Sequence, residues 1–211
     1  MTGFFTYATK HWGRMLELLL QHLEIVGIVL GISICFAIPI GYLLTHSKIA
    51  SAFVIGLFSV LYAVPSLAMF AILLRFTGLG MKTAVIAISI YAQYILLRSV
   101  TAGFSSVESS VLEASRGMGL GKAEILFRIQ FPLAAPVFLS GIRIATIASV
   151  GLAAIASTIH SGGIGDLLFE GINNLYPVKI VWGVILSSGL AFALNFGLGK
   201  AERYLTKRAH P

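Results

Sequence analysis

The amino-acid sequence predicts an all-α, single-domain protein that crosses a membrane with about five helices. Of its 211 residues, 57% are hydrophobic and 11% are charged, about half the charged fraction of an average soluble domain. Four runs of 20 to 26 residues contain no charged side chain, and about 20 apolar residues are enough to cross a bilayer as a helix. The apolar fraction excludes a disordered chain. A soluble protein would lack the polar surface to cover so many apolar helices.

Residues 1–24 are predicted to form an N-terminal interfacial arm. Charged side chains interrupt this stretch repeatedly, so it is too polar for a span. Within it, Met15–Leu23 has the amphipathic pattern of a short helix that lies in the membrane interface. Trp12 is the expected anchor of this helix, since tryptophan is enriched at the level of the lipid head groups.

The predicted spans are, in chain order, Ile25–Ser47, Ile49–Leu74, Thr83–Leu97, Ile144–Gly165 and Ile180–Gly199. The third has only 15 residues, which extend about 22 Å as a helix. It spans the bilayer if Lys82 and Arg98 snorkel at its two ends. Pro65 in the middle of the second span predicts a kink, because proline removes a helical hydrogen bond.

The distribution of positive charge predicts the orientation of the chain. Five spans leave the termini on opposite sides. One side then carries Lys48, Arg98, Arg116, Lys122, Arg128, Lys200, Arg203, Lys207 and Arg208, and the other carries Lys10, Arg14, Arg75, Lys82 and Lys179. The side richer in lysine and arginine faces the cytoplasm, so we expect the N-terminus outside and the basic tail, residues 200–211, inside. The net charge of +7 therefore indicates contact with anionic membrane lipid and not with nucleic acid.

Residues 98–132 form the longest polar connection, and we expect them in the cytoplasm as two short helices. Ser109 and Ser110 are candidate caps of the first, which includes Val111–Arg116. Gly117, Gly119 and Gly121 break it, after which Ile125, Leu126 and Ile129 form an apolar helical stripe. Pro132 begins the next span, where a missing N–H is tolerated.

The glycine cluster does not form a nucleotide-binding loop. A Walker A loop requires a glycine five residues before Gly121 and a hydroxyl after Lys122, but Arg116 and Ala123 stand there. We therefore expect no nucleotide or other cofactor on this chain, and the glycines to make a sharp turn.

The same segment resembles the EAA motif, E-A-A-x3-G-x9-I-x-L-P, of the inner-membrane permeases of ABC importers. Seven residues fall at the motif spacings: Glu113, Ala114, Ser115, Gly119, Ile129, Phe131 and Pro132, with Ser115 and Phe131 departing from the consensus. The resemblance implies that the loop docks on a separate ATPase subunit. It assigns this coupling role to Glu113, Ala114, Ser115, Arg116, Gly117, Gly119, Ile125, Ile129 and Pro132.

Further stretches are similar to one branch of that family, the osmoprotectant permeases for glycine betaine, choline or carnitine. They are Val64–Ala68, Thr77–Gly80, Glu113–Gly119, Gly141–Arg143 and Ser161–Leu167. The chain departs from the branch at Gln93–Ile95, where a proline-containing stretch is expected, and at Ser99, where asparagine is common. The resemblance implies a bacterial inner-membrane protein that works with a substrate-binding protein and a second permease copy or similar subunit. An importer of another small solute, such as an amino acid, remains open.

The candidate residues of a translocation path or gate are Tyr62, Pro65, Ser66, Tyr91 and Arg143. Aromatic faces attract a quaternary ammonium group, which applies to Tyr62, Tyr91, Tyr94 and Trp182, although such residues also form interface belts. The Pro65 kink either moves during transport or is static. Arg143 either lies near mid-membrane or snorkels to the cytoplasmic interface.

The loop before Asp166 is the candidate docking site for the binding protein. It includes Gly162, Gly163, Gly165 and Asp166, and the alternative is that its glycines only make a turn. The five histidines have no metal-ligand spacing, so we expect no metal site, and no catalytic cluster suggests an enzyme. A secondary transporter or a membrane-embedded enzyme is the alternative class, but all eight acids lie outside the long uncharged runs.

Overall fold

All secondary structure in the computed structural model is helical over residues 2–209, the part of the chain that the structure describes; side chains are described for residues 4–207. Met1 and the last two residues of the predicted tail lie outside that part, and so does the Arg208 side chain. Nine α-helices follow one another: α1 Thr2–Leu44, α2 Lys48–Ala63, α3 Ser66–Thr77, α4 Met81–Ser105, α5 Ser109–Gly117, α6 Lys122–Ile125, α7 Phe131–Ala156, α8 Gly165–Asn173 and α9 Pro177–Ala209.

Helix α1 includes both the predicted arm and the first span. It is kinked at His11, which has non-helical backbone angles, and then continues to Leu44. The expected separate helix at Met15–Leu23 is therefore wrong. Its apolar stripe is buried within the protein, because Met15 and Leu18 contact Leu167 of α8. Trp12 remains 64% exposed.

The second predicted span is broken and not merely kinked. Helix α2 ends at Ala63, α3 begins at Ser66, and their axes differ by 100°. Ser47 caps α2, since its hydroxyl accepts a hydrogen bond from the Ala50 N–H at 3.2 Å. Pro65 has no N–H to continue the helix, and the residue before a proline is driven out of the helical region. Val64 accordingly has extended backbone angles.

Helix α4 is the centre of the molecule and packs against α1, α2, α3 and α7. It has 25 residues, so the predicted 15-residue span was too short. The helix continues past Arg98 because this side chain lies on an outward face, where its charge does not end the helix. Three glycines bring α4 close to its neighbours: Gly41 meets Val100, Gly103 meets Phe138, and Gly141 meets Ser99.

The bundle has two ends, which contacts between helices define. At one, the loop end, the ring centre of Phe104 lies 5.1 Å from that of Tyr42 and 4.8 Å from that of Phe138. At the other, the glycine end, the Gly80 N–H donates to the Ile159 carbonyl at 2.8 Å.

Five segments join these two ends. The pair α2–α3 starts at the loop end, where α1 finishes, and ends at the glycine end, where α4 begins. It therefore crosses the bundle, as do α1, α4, α7 and α9, and four of the five segments are single helices long and apolar enough to span a membrane. The termini of the described chain thus lie at opposite ends of the bundle.

Candidate coupling and translocation surfaces

The polar connection between α4 and α7 is shorter than predicted. Residues 98–105 belong to α4 and residues 131–132 to α7, which leaves 106–130, here called the coupling segment. Its first helix, α5, has Glu108 at the cap position without a side-chain cap bond. Ser109 and Ser110 were therefore wrong as caps. Both lie in the first turn, and the Ser110 hydroxyl donates to the Glu108 carboxylate at 3.1 Å.

A tight turn at Gly119 ends α5. The Leu120 N–H donates to the Ser115 carbonyl at 3.2 Å and the Gly119 N–H to the Arg116 carbonyl at 2.9 Å, which is the pairing of a Schellman motif. Gly119 has φ +80°, a value that favours glycine. Gly117 is the last residue of α5, and the Gly121 N–H donates to the Glu124 carboxylate at 3.1 Å. Of these three glycines, only Gly119 needs its conformational freedom.

The predicted apolar stripe faces the protein. Ile125 is buried, Leu126 is half-buried against the core, and Ile129 is half-buried. Ser115 is also buried, and its hydroxyl donates to the Val111 carbonyl at 2.7 Å. Leu126 anchors the coupling segment on the core, and the buried positions leave the outer face to other side chains.

The outer face of the coupling segment presents the rest of the motif and two large apolar residues. Glu113, Ala114, Arg116 and Gly117 are exposed. Met118 is 72% and Phe127 is 69% exposed. The exposure of these two residues was not predicted. A helical wheel could have shown it for Phe127, which lies off the apolar stripe. Within residues 4–207, Glu113 makes no ion pair; the segment's ion pair joins Glu124 to Arg128 at 3.4 Å.

Pro132 lies in the first turn of α7, as expected, but no break in the chain separates this helix from the one before it. Helix α6 runs through a π-helical turn, Leu126–Gln130, directly into α7. The Phe131 N–H reaches back five residues to the Leu126 carbonyl. A proline ring clashes with the carbonyl of a regular α-helical turn, and the wider turn accommodates Pro132. The coupling segment is thereby continuous with a spanning helix.

The structure brings three of the four candidate aromatic residues together. Tyr62 lies 5.8 Å from Tyr91 and 4.9 Å from Tyr94, measured between ring centroids. The Tyr91 hydroxyl donates to the Val64 carbonyl at 2.7 Å and so gives this carbonyl a partner where the helix is interrupted before Pro65. Ser66, the first residue of α3, is half-buried. Trp182 lies at the glycine end, stacked on Phe4 at 4.5 Å.

Arg143 joins α7 to α9. Its Nε donates to the Asn195 side-chain oxygen, and its Nη1 lies 3.1 Å from the Glu202 carboxylate. It is 12 residues inside α7, about 18 Å along the helix axis, so it lies within the helix and not at its start. The sequence did not pair it with Glu202, because 59 residues separate the two.

The glycine loop before α8 is largely buried, so the turn alternative describes it best. Gly163 and Gly165 are buried and Gly162 is half-buried. The Gly163 N–H donates to the Gln21 side chain at 3.2 Å. A Cβ on Gly165 would lie closer than 3.0 Å to the Ala154 carbonyl carbon. The two buried glycines therefore shape the turn and present no surface to a partner.

His22 fixes this loop to the bundle. It is fully buried; its Nε2 lies 3.1 Å from the Val150 carbonyl, and its Nδ1 lies 3.3 Å from the Ile164 amide nitrogen. A carbonyl only accepts and an amide only donates, so the ring is neutral with the proton on Nε2. Sequence reasoning missed this role, because the partners lie 128 and 142 residues away.

Asp166 at the start of α8 remains accessible. Its carboxylate lies 3.8 Å from the Arg14 guanidinium and is 25% exposed. Burial raises the pKa of this carboxyl, and the positive charge of Arg14 opposes the rise. Among the described residues, no three His, Cys, Asp or Glu side chains converge in a way that would hold a metal ion.

Comparison with known proteins gives consistent matches along the chain. A family described as "Binding-protein-dependent transport system inner membrane component" matches residues 33–209. The carnitine transport permease protein OpuCB of Listeria monocytogenes is 36% identical, with 99% of this chain and 96% of that protein covered. The choline transport system permease protein OpuBB of Bacillus subtilis is 34% identical, with 92% and 89% covered.

A solved structure shares the fold. The MetNI methionine ABC transporter, in inward-facing conformations, contains a chain that superposes with a TM-score of 0.82 at 19% identity, covering 90% of this chain and 95% of that one. At this identity the likeness concerns the architecture of the helices alone.

Proposed function

Because the chain belongs to the binding-protein-dependent transport system inner membrane components, we propose that it is the permease through which a bacterial ABC importer takes up glycine betaine, choline or carnitine. The observation that carries the substrate class is the full-length similarity to relatives named for these solutes, at 32 to 36% identity. The chain is a transport subunit of the inner membrane and not an enzyme.

The loop end of the bundle faces the cytoplasm in this proposal, and a separate ATPase binds there. The coupling segment supports this location, because it exposes Glu113, Arg116, Met118 and Phe127 together. Two large apolar side chains beside charged ones are typical of a surface that contacts another protein. The continuous path from α6 into α7 then transmits ATPase movement to the membrane.

The glycine end faces outward and receives the substrate-binding protein. Asp166, Gly162 in the preceding loop and the 89% exposed Leu175 offer accessible surface there. Gly163 and Gly165 act by shaping this loop. A second copy of the chain or a similar permease completes the path, because five crossings enclose a channel poorly, and lipid covers the remaining apolar faces.

Uptake measurements test this proposal. The chain is expressed with its ATPase and binding protein in cells that lack osmoprotectant import, and radiolabelled glycine betaine, choline and carnitine are supplied. Uptake of at least one is expected, and it should require the binding protein. If none enters while an amino acid does, the family stands and the substrate class is wrong.

A further inference from the structure

A groove of about 610 Å³ lies between α2 and α4, near the loop end. Its lining includes Lys48, Ser51, Ser59, Tyr94, Arg98 and Thr101. The residues that line it include two cations and no acid. A polar groove on the outside of membrane-spanning helices is unfavourable against lipid hydrocarbon, so this face suits water or a polar ligand.

Helix α2 has one face that lines the groove and an opposite face that is apolar and exposed. Ser51, Ile55 and Ser59 line the groove and recur every four residues, which places them on one face. On the other face, Ile49 is 84% and Phe53 is 72% exposed. The apolar face suits lipid, and the groove face suits a hydrated path.

Arg98 has unused hydrogen-bonding capacity in this groove. Its Nη1 donates to the Tyr94 hydroxyl at 3.1 Å, and its guanidinium lies 5.6 Å from the centre of that ring. The Tyr94 hydroxyl also bonds to Ser59. A guanidinium has five N–H donors, and no carboxylate of the described residues pairs with Arg98. The tyrosine therefore holds the charge in place without neutralising it.

A second aromatic ring packs on Tyr94 and lies no more than about 10.5 Å from the Arg98 guanidinium, since both are near the Tyr94 ring centre, at 4.9 and 5.6 Å. Tyr62 is 40% exposed, and its ring centre is 4.9 Å from that of Tyr94. Arg98 already approaches the Tyr94 ring, whereas Tyr62 packs against Tyr91 and Tyr94 and still keeps part of its ring exposed to a ligand. Such a face attracts a quaternary ammonium, which has no hydrogen to donate.

We propose that Arg98 and Tyr62 form a binding site for a zwitterion within the translocation path. Arg98 binds the carboxylate, the Tyr62 ring contacts the trimethylammonium group, and Tyr94 with Ser59 positions the guanidinium. A carboxylate fits the planar guanidinium fork in a two-bond geometry. This inference rests on the proposed function, and it specifies the substrate as glycine betaine or carnitine.

The proposal has a consequence for selectivity. Choline carries the same ammonium group and a hydroxyl in place of the carboxylate. It therefore gains no ion pair from Arg98 and meets a like charge in the groove. The site favours zwitterions over the simple cation at this step, independently of the binding protein.

Competitive uptake of glycine betaine and choline tests the site. Arg98→Gln is compared with the parent and with Arg75→Gln, which removes an exposed arginine near the end of α3. We expect Arg98→Gln to lower the betaine-to-choline uptake ratio about tenfold or more, the effect of one charge-assisted hydrogen bond. Arg75→Gln should keep the parental ratio.

The role of the Tyr62 ring is tested with one substitution that removes the aromatic ring and one that keeps it. Tyr62→Leu should lower uptake of both solutes, while Tyr62→Phe, which keeps the aromatic face, should retain it. ATPase activity in reconstituted vesicles confirms that each variant assembles.

The outcomes separate the two proposals. If the parent imports no quaternary ammonium solute, the proposed function falls, and the site falls with it. If the parent imports betaine but Arg98→Gln lowers both solutes equally or neither, only the site is refuted. Equal activity of Tyr62→Leu and the parent also refutes it.

Discussion

At the scale of single residues, Gly117 and Gly119 lie two positions apart but carry different constraints. Gly117 is helical, whereas Gly119 has φ +80°. A Cβ on either would meet nothing within 4 Å. Space is therefore equal at the two sites, and only the backbone conformation distinguishes them. The turn between α5 and α6 depends on the second glycine alone.

Gly119→Val should weaken association with the ATPase. A β-branched residue in the left-handed region costs about 1–2 kcal/mol, so the turn opens and the outer face of the coupling segment is lost. Co-purification of the ATPase with the tagged permease measures this effect, and the protein should still insert in the membrane.

Two control variants separate backbone strain from side-chain bulk at this turn. Asparagine tolerates a positive φ, so Gly119→Asn should bind the ATPase nearly normally. Gly117→Ala should bind normally and stabilise α5 by about 0.5–1 kcal/mol. Retention of full ATPase binding by Gly119→Val would show that this turn does not hold the docking surface.

At the scale of helices, close approach between α4 and α7 organises the bundle. Gly141 faces Ser99, and a Cβ there would lie closer than 3.0 Å to the Ser99 side chain. Gly103 makes room for Phe138 in the same way. Small residues at such crossings are characteristic of membrane helices, where packing replaces the hydrophobic effect as the driving force.

Gly141→Ala is expected to destabilise the protein by about 1–3 kcal/mol, the usual cost of overpacking. Gly151→Ala on the same helix is the matched control. Its Cβ would meet nothing within 4 Å, so it should be neutral or stabilise α7 by up to about 1 kcal/mol. Thermal unfolding in detergent distinguishes the two, and Ser99→Gly should reduce the Gly141→Ala loss. Equal melting temperatures for both alanine variants would contradict the packing argument.

The sequence predicted those features of the helices that neighbouring residues determine, and it missed those that depend on contacts between residues far apart in the chain. Uncharged runs are local, so the all-α class and the number of spans were predicted correctly. Pro65 gives a local signal for a break in the second span, but the Tyr91 hydroxyl that satisfies the Val64 carbonyl lies 27 residues away. Burial of Met15 and Leu18 depends on α8. Local patterns also placed Gly119 correctly, because a positive φ in a turn is a property of the residue itself. The pairing of Arg143 with Glu202 joins α7 to α9 and has no local signal.

At the scale of the whole molecule, the two ends of the bundle differ in charge and in shape. The loop end carries the coupling segment and the basic end of α9, and the glycine end carries α8 and its buried loop. Because five segments connect the ends, the termini of the described chain lie at opposite ends of the bundle, and we expect them on opposite sides of the membrane. The positive charges of the loop end favour the cytoplasm, and in the proposed orientation residues 106–130 face the ATPase.

Labelling of single cysteines tests this orientation. The exposed Cys35 is first replaced by serine. Two variants are then made separately: Leu175→Cys at the glycine end and Met118→Cys at the loop end, where the native side chains are 89% and 72% exposed. A membrane-impermeant maleimide applied to intact cells should label only the cysteine at 175, because the other faces the cytoplasm. Permeabilised cells should label both, which controls for reactivity. The reverse pattern would invert the orientation and leave the coupling segment out of reach of a cytoplasmic ATPase, and labelling of both from outside would contradict the five crossings.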